Sequence, residues 1–125
     1  MSLRTPLGRV LGLGSAGDGP GHWWQQRVSA VGLALLGLWF LVSVLTLGGG
    51  DLAAVQGWIA APLHAALLSV LVLTAAWHSQ LGLRVIVEDY TDGAVKVALI
   101  VGLQFVHAVA AAVGVLAVLR IATGA

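Results

Sequence analysis

The sequence predicts an all-α membrane protein with three transmembrane helices, and three observations carry that reading. The chain is 59% hydrophobic and only 9% charged over 125 residues. Its mean hydropathy is +1.00. Its apolar residues gather into three stretches, each near the roughly 20 residues that a helix needs to cross a bilayer. Soluble domains carry about 25% charged residues, so eleven charges cannot cover a water-facing surface of this size. A soluble globular enzyme is thereby excluded. A net charge of +1 excludes a strongly basic nucleic-acid binder, and the apolar content excludes intrinsic disorder. With no cysteine, the chain holds no disulfide, thiolate metal site or iron–sulfur cluster of its own.

Residues 1–21 are rich in Gly and Ser, with Arg4, Arg9 and Asp18, and have no continuous apolar run. They read as a flexible cytoplasmic tail and not as a secretory signal, which needs an apolar centre. Residues 22–125 form the anchor domain. Its first span is expected at about 28–47, ending at the Gly48-Gly49-Gly50-Asp51 breaker. The second is expected at about 58–87, with Pro62 near its start, where a helix tolerates proline best. The third is expected at about 94–121. Basic residues orient the three. Arg4, Arg9 and Arg27 precede the first span, and Arg84 and Lys96 flank the second connection. The first connection has no Lys or Arg, and Arg120 stands alone near the C-terminus. The N-terminus is therefore expected on the inner, cytoplasmic side. Trp23, Trp24 and Trp58 fall at the expected interfaces, where amphipathic rings settle.

Histidine is costly inside a bilayer and marks a candidate functional site there. His22 precedes the first span, His64 and His78 lie on the second, and His107 lies on the third. No Cys, Asp or Glu joins them within the spans, which disfavours zinc and di-iron carboxylate sites. Axial ligation of haem iron needs only an imidazole from a given helix, so haem is the leading cofactor. His64 and His78 are separated by about 21 Å along one helix and cannot share an iron. His107 and His78 are expected at depths differing by roughly 10 Å, so a second axial ligand must come from another polypeptide. For His64 and His107, hydrogen bonds to neighbouring helices are the favoured roles.

The segment His78-Ser-Gln-Leu-Gly82-Leu-Arg84-Val-Ile-Val-Glu88-Asp89-Tyr90 is more specific. It resembles the membrane-anchor D subunit family of succinate dehydrogenase, the small cytochrome b subunits of respiratory complex II. The shared pattern is a histidine, a glycine four residues on, and an Asp-Tyr pair eleven and twelve residues on. Upstream, His22-Trp-Trp-Gln-Gln-Arg27-Val-Ser29-Ala resembles the family's entry to its first helix, where an arginine precedes a small hydroxyl residue. The resemblance covers roughly residues 22–121. It implies one part of a heteromeric helix bundle, with haem b held between two membrane subunits and ubiquinone reduced nearby. It also implies partners: a second cytochrome b membrane subunit (C), an iron–sulfur subunit and a flavoprotein subunit. Succinate, FAD and the iron–sulfur clusters would lie on those last two alone.

On this resemblance His78 is the axial ligand of the haem iron, one to two turns inside the inner surface. Arg27 pairs with a haem propionate, since guanidinium matches carboxylate bidentately, or serves as a positive-inside anchor. Gly82 admits a porphyrin edge or allows close helix packing. Tyr90 offers a hydroxyl to a quinone carbonyl and Asp89 supports that pocket; otherwise they are an interface tyrosine and a solvated acid. Glu88 and Asp92 read as solvated loop charges, and Arg84 as a snorkelling residue. The alternative from another class is a small non-enzymatic transmembrane bundle, a transporter component or assembly factor.

Overall fold

The computed structural model describes residues 19–124. Most of the expected tail therefore lies outside the described residues; its last three residues, 19–21, are already helical. Helix α1 spans Gly19–Thr46. It begins ahead of the apolar run because Pro20 suits a first helical turn and His22, Gln25, Gln26 and Arg27 break no helical rule. Apolar content marks only the part of a helix that reaches the hydrocarbon layer. α1 stops at Gly48 and Gly49, whose φ of 60° and 74° favour residues without a Cβ.

The expected second span is two elements, which corrects its boundary. Helix α2 covers Leu52–Ala60 and helix α3 covers Pro62–Tyr90. Pro62 has no N–H to give to the carbonyl of Trp58, and it drives Ala61 into extended backbone at φ −64°, ψ 126°. Pro62 thus starts α3 instead of sitting inside a longer helix. Asp51 starts α2 by accepting a hydrogen bond from Ala54 N at 2.9 Å. Helix α4, Gly93–Thr123, follows α3 after only Thr91 and Asp92.

Three of these helices are long and apolar enough to cross a membrane: α1 from Pro20, α3 and α4. At 1.5 Å per residue, 28 residues of α1 reach about 42 Å, more than the roughly 30 Å of hydrocarbon. Their ends therefore extend to headgroup depth. Burial is inverted relative to a soluble domain. Among the described residues the buried apolar set is Ala65, Leu68 and Leu81, while the buried polar set is Ser29 and Gln80. Leu, Val and Phe side chains on the outside meet lipid or partner helices.

α3 is the central helix. It packs along both α1 and α4, which scarcely touch each other, and α2 rests on α3 and α4. Small residues permit the approach. A Cβ on Gly114 of α4 would come within 2.7 Å of Val72 Cγ1 on α3. On the other side, a Cβ on Gly32 of α1 would stand 3.4 Å from Thr74 Cγ2.

Candidate functional site

Where the N-terminal part of α1 faces the C-terminal half of α3, three polar side chains meet. His78 Nδ1 lies 3.0 Å from Ser29 Oγ. His78 Nε2 lies 3.4 Å from Gln26 Nε2. Ser29 Oγ donates to the Gln26 carbonyl at 3.1 Å. A hydroxyl has one proton, so with that proton on Gln26 O, Ser29 accepts from His78 Nδ1–H. The imidazole is then the Nδ1–H tautomer, and Nε2 keeps its lone pair beside the Gln26 amide. Gln26 Oε1 and His22 Nε2 are buried with no hydrogen-bond partner. Sequence reasoning noticed Ser29 only as a small hydroxyl residue in the quoted motif, and missed Gln26. Polar residues at three-residue spacing in an otherwise apolar helix were the available signal.

The expected depth difference between His78 and His107 does not hold. His107 Nε2 is 3.2 Å from Ser79 Oγ, on the residue next to His78. The two-residue turn between α3 and α4 brings positions 79 and 107 level; a longer connection would have offset them. What separates the two histidines is direction. Successive helical residues point about 100° apart, so His78 meets α1 while Ser79 meets α4. His107 Nδ1 also lies 2.8 Å from its own Leu103 carbonyl. His64 Nδ1 likewise reaches a backbone carbonyl, that of Trp58, at 2.8 Å.

The other candidate residues stand apart from His78. Arg27 is exposed, with its guanidinium carbon 5.2 Å from the Trp23 ring centroid. Tyr90 is 85% exposed at the end of α3, twelve residues and about 18 Å of helix beyond His78. Neither it nor Asp89 makes a hydrogen bond or ion pair within the described residues. The neighbouring charges are paired and not merely solvated: Arg84 Nε donates to Glu88 Oε1 at 2.7 Å, and Lys96 Nζ lies 3.4 Å from Asp92 Oδ1. Gly82 faces α1, where a Cβ would stand 3.4 Å from Gln26 Nε2, an ordinary contact with the end of a flexible side chain. A separate cleft of about 480 Å³ opens between α1 and α4 over α3, with His22, Gln25, Gln80, Arg84, Gln104 and His107 among its lining.

A family described as succinate dehydrogenase/fumarate reductase transmembrane subunit matches residues 1–118. The chain belongs to that family. The match begins ahead of His22, where the quoted motifs begin. Relatives with the name succinate dehydrogenase hydrophobic membrane anchor subunit agree. The protein from Paracoccus denitrificans is 34% identical over 126 residues, covering 100% of this chain and 97% of the relative. That from Rickettsia bellii is 32% identical over 88 residues, 70% of each chain. That from Rickettsia conorii is 36% identical over 78 residues, 62% of each chain. No solved structure matches significantly. As a member of the succinate dehydrogenase/fumarate reductase family, the chain is a multi-pass membrane anchor that works with other subunits of an oxidoreductase complex. Membership sets aside the transporter or assembly-factor alternative.

Proposed function

We propose that this anchor binds haem b with His78 as one axial ligand, and contributes Tyr90 and Asp89 to a ubiquinone site at the inner surface. The observation that carries the reading is the place of His78, facing Ser29 of α1 within the His78, Gly82, Asp89-Tyr90 pattern. His78 Nδ1 lies 3.0 Å from Ser29 Oγ, and when Nδ1–H donates there Nε2 is the unprotonated nitrogen, the form in which imidazole ligates a metal. The donor set fits the group. Gln26 Oε1, on the side chain beside the ring, and His22 Nε2, one turn earlier on α1, are buried polar atoms without a hydrogen bond among the described residues.

Haem, when bound, supplies one-electron transfer between iron–sulfur clusters and quinone. The chain's own residues hold and orient. His78 gives one ligand, and a second cytochrome b membrane subunit gives the other, since His64 stands fourteen residues away on the same helix and His107 turns to Ser79, on a different face of α3 from His78. Arg27, exposed beside Trp23, presents guanidinium donors to a propionate. Tyr90 can donate its hydroxyl to a quinone carbonyl with its ring in the apolar layer. Asp89, the residue before Tyr90 at the end of α3, passes or holds a proton. The iron–sulfur and flavoprotein subunits, with the clusters and FAD, dock at the cytoplasmic face of a bacterial inner membrane, where the N-terminus also lies.

The test is the haem content and low-spin electron paramagnetic signal of the purified complex. His78→Ala should abolish or displace that signal, and His64→Ala and His107→Ala should preserve it. Loss in His107→Ala with His78→Ala unaffected would overturn the assignment.

A further inference from the structure

Ser29 is 7% exposed, in the contact between α1 and α3. A buried hydroxyl in a membrane helix ordinarily satisfies itself on a carbonyl one turn back, and Ser29 does so on Gln26 O at 3.1 Å. That bond uses its only proton, yet its oxygen also stands 3.0 Å from His78 Nδ1. With its proton on that carbonyl, Ser29 is an acceptor toward His78 Nδ1. The second contact of the ring is looser, with Gln26 Nε2 3.4 Å from His78 Nε2, beyond the usual N–H···N range.

We infer that Ser29 is a positioning residue for the metal-ligating state of His78: it holds the proton on Nδ1 and offers Nε2 to the iron. The inference rests on the reading of His78 as the haem ligand. Ligating histidines gain orientation and basicity when the other ring nitrogen donates a hydrogen bond. Ser29 supplies that acceptor from the first helix, while the ligand itself sits on the central one. The Gln26 amide covers Nε2 through the longer contact and is the group that yields to the iron. Two helices are thereby tied to the haem through one imidazole, and the Gln26–Ser29 spacing of three residues is what places both groups on the same ring.

The experiment uses the intact complex in membranes, with haem midpoint potential, low-spin electron paramagnetic signal and haem-to-flavin ratio as readouts. Ser29→Ala removes the acceptor. The basicity of the ring then falls, the midpoint potential moves positive, the signal shifts, and haem is retained roughly tenfold less well on dilution or detergent washing. Ser29→Thr keeps the hydroxyl and restores all three. Gly32→Ala adds a methyl to the same α1–α3 contact, 3.4 Å from Thr74 Cγ2, without touching the hydrogen bond, and leaves the potential at the wild-type value. A wild-type potential and signal in Ser29→Ala would overturn the inference, and so would an equal shift in Gly32→Ala, which would assign the effect to packing. His78→Ala separates this from the underlying reading. If it leaves the haem signal intact, the ligand assignment fails. If it abolishes the signal while Ser29→Ala matches wild type, only the role of Ser29 fails.

Discussion

His64 Nδ1 lies 2.8 Å from the carbonyl oxygen of Trp58, the acceptor that Pro62 leaves without its helical donor. In a continuous helix the N–H of residue 62 would bond that carbonyl. Proline has none, and the imidazole N–H takes its place from the next turn. The ring also stacks on Trp58 at 4.7 Å between centroids, and Trp58 stacks on Trp39 of α1 at 5.7 Å. A costly residue in a membrane helix is here the clasp between α1, α2 and α3.

His64→Ala should therefore loosen α2 and leave the haem spectrum alone. Leaving a partly buried carbonyl unpaired costs about 1 kcal/mol, which corresponds to roughly fivefold faster amide exchange across Leu52–Ala60. Hydrogen exchange on the detergent-solubilised complex measures it. Unchanged exchange in α2 would show that the bond contributes nothing to its docking.

Gly114→Ala should weaken the α3–α4 contact. The new Cβ would stand 2.7 Å from Val72 Cγ1, and valine is stiff at χ1, so the helices must part or the rotamer must strain. Overpacking of this kind costs about 1–3 kcal/mol. Val72→Ala in the same chain should recover most of it. Thermal unfolding of the four combinations in a double-mutant cycle gives the coupling, and additive losses would place the Gly114 effect elsewhere.

The connection between α1 and α2, and α2 itself, carry no Lys or Arg, whereas Arg27, Arg84 and Lys96 gather at the opposite end of the bundle. By the positive-inside rule that end is expected in the cytoplasm. Reporter fusions after Gly50 and Ala125 should both read periplasmic, and a fusion at Thr91 cytoplasmic. A cytoplasmic result at both Gly50 and Ala125 would reject this topology.

Three spans, and the residues that resemble the anchor family, were legible in the sequence because hydropathy and short spacing lie along one dimension. The division at Ala61 was less so: Pro62 announces a helix start, but a stretch apolar on both sides hides that the preceding residues form their own helix. The depth of His107 was misjudged for a related reason, since register across a hairpin depends on the length of its turn. Ser29 and Gln26 needed the pairing of α1 with α3, which no periodicity in a uniformly apolar chain displays. Their polarity was visible; their common partner was not.

Tyr90→Phe should impair quinone reduction while sparing electron delivery upstream of it. Tyr90 closes α3 and is 85% exposed, with no hydrogen bond in the described residues, so its hydroxyl is available to a ligand or a partner-bounded pocket. The ion pairs Arg84–Glu88 and Lys96–Asp92 lie on the last turns of α3 and the start of α4, charges suited to a membrane's water boundary, and protons for quinone reduction must come from water. Phenylalanine keeps the ring and removes only the donor. A neutral hydrogen bond contributes about 0.5–1.5 kcal/mol, and a carbonyl left unpaired costs more, so the catalytic efficiency for quinone should fall roughly 3- to 30-fold. Asp89→Asn should add to the loss if Asp89 handles a proton there. Succinate oxidation with an artificial acceptor, drawn before the quinone, should stay at the wild-type rate in both variants. Wild-type quinone reductase activity and inhibitor affinity in Tyr90→Phe and Asp89→Asn together would move the quinone site away from this end of α3.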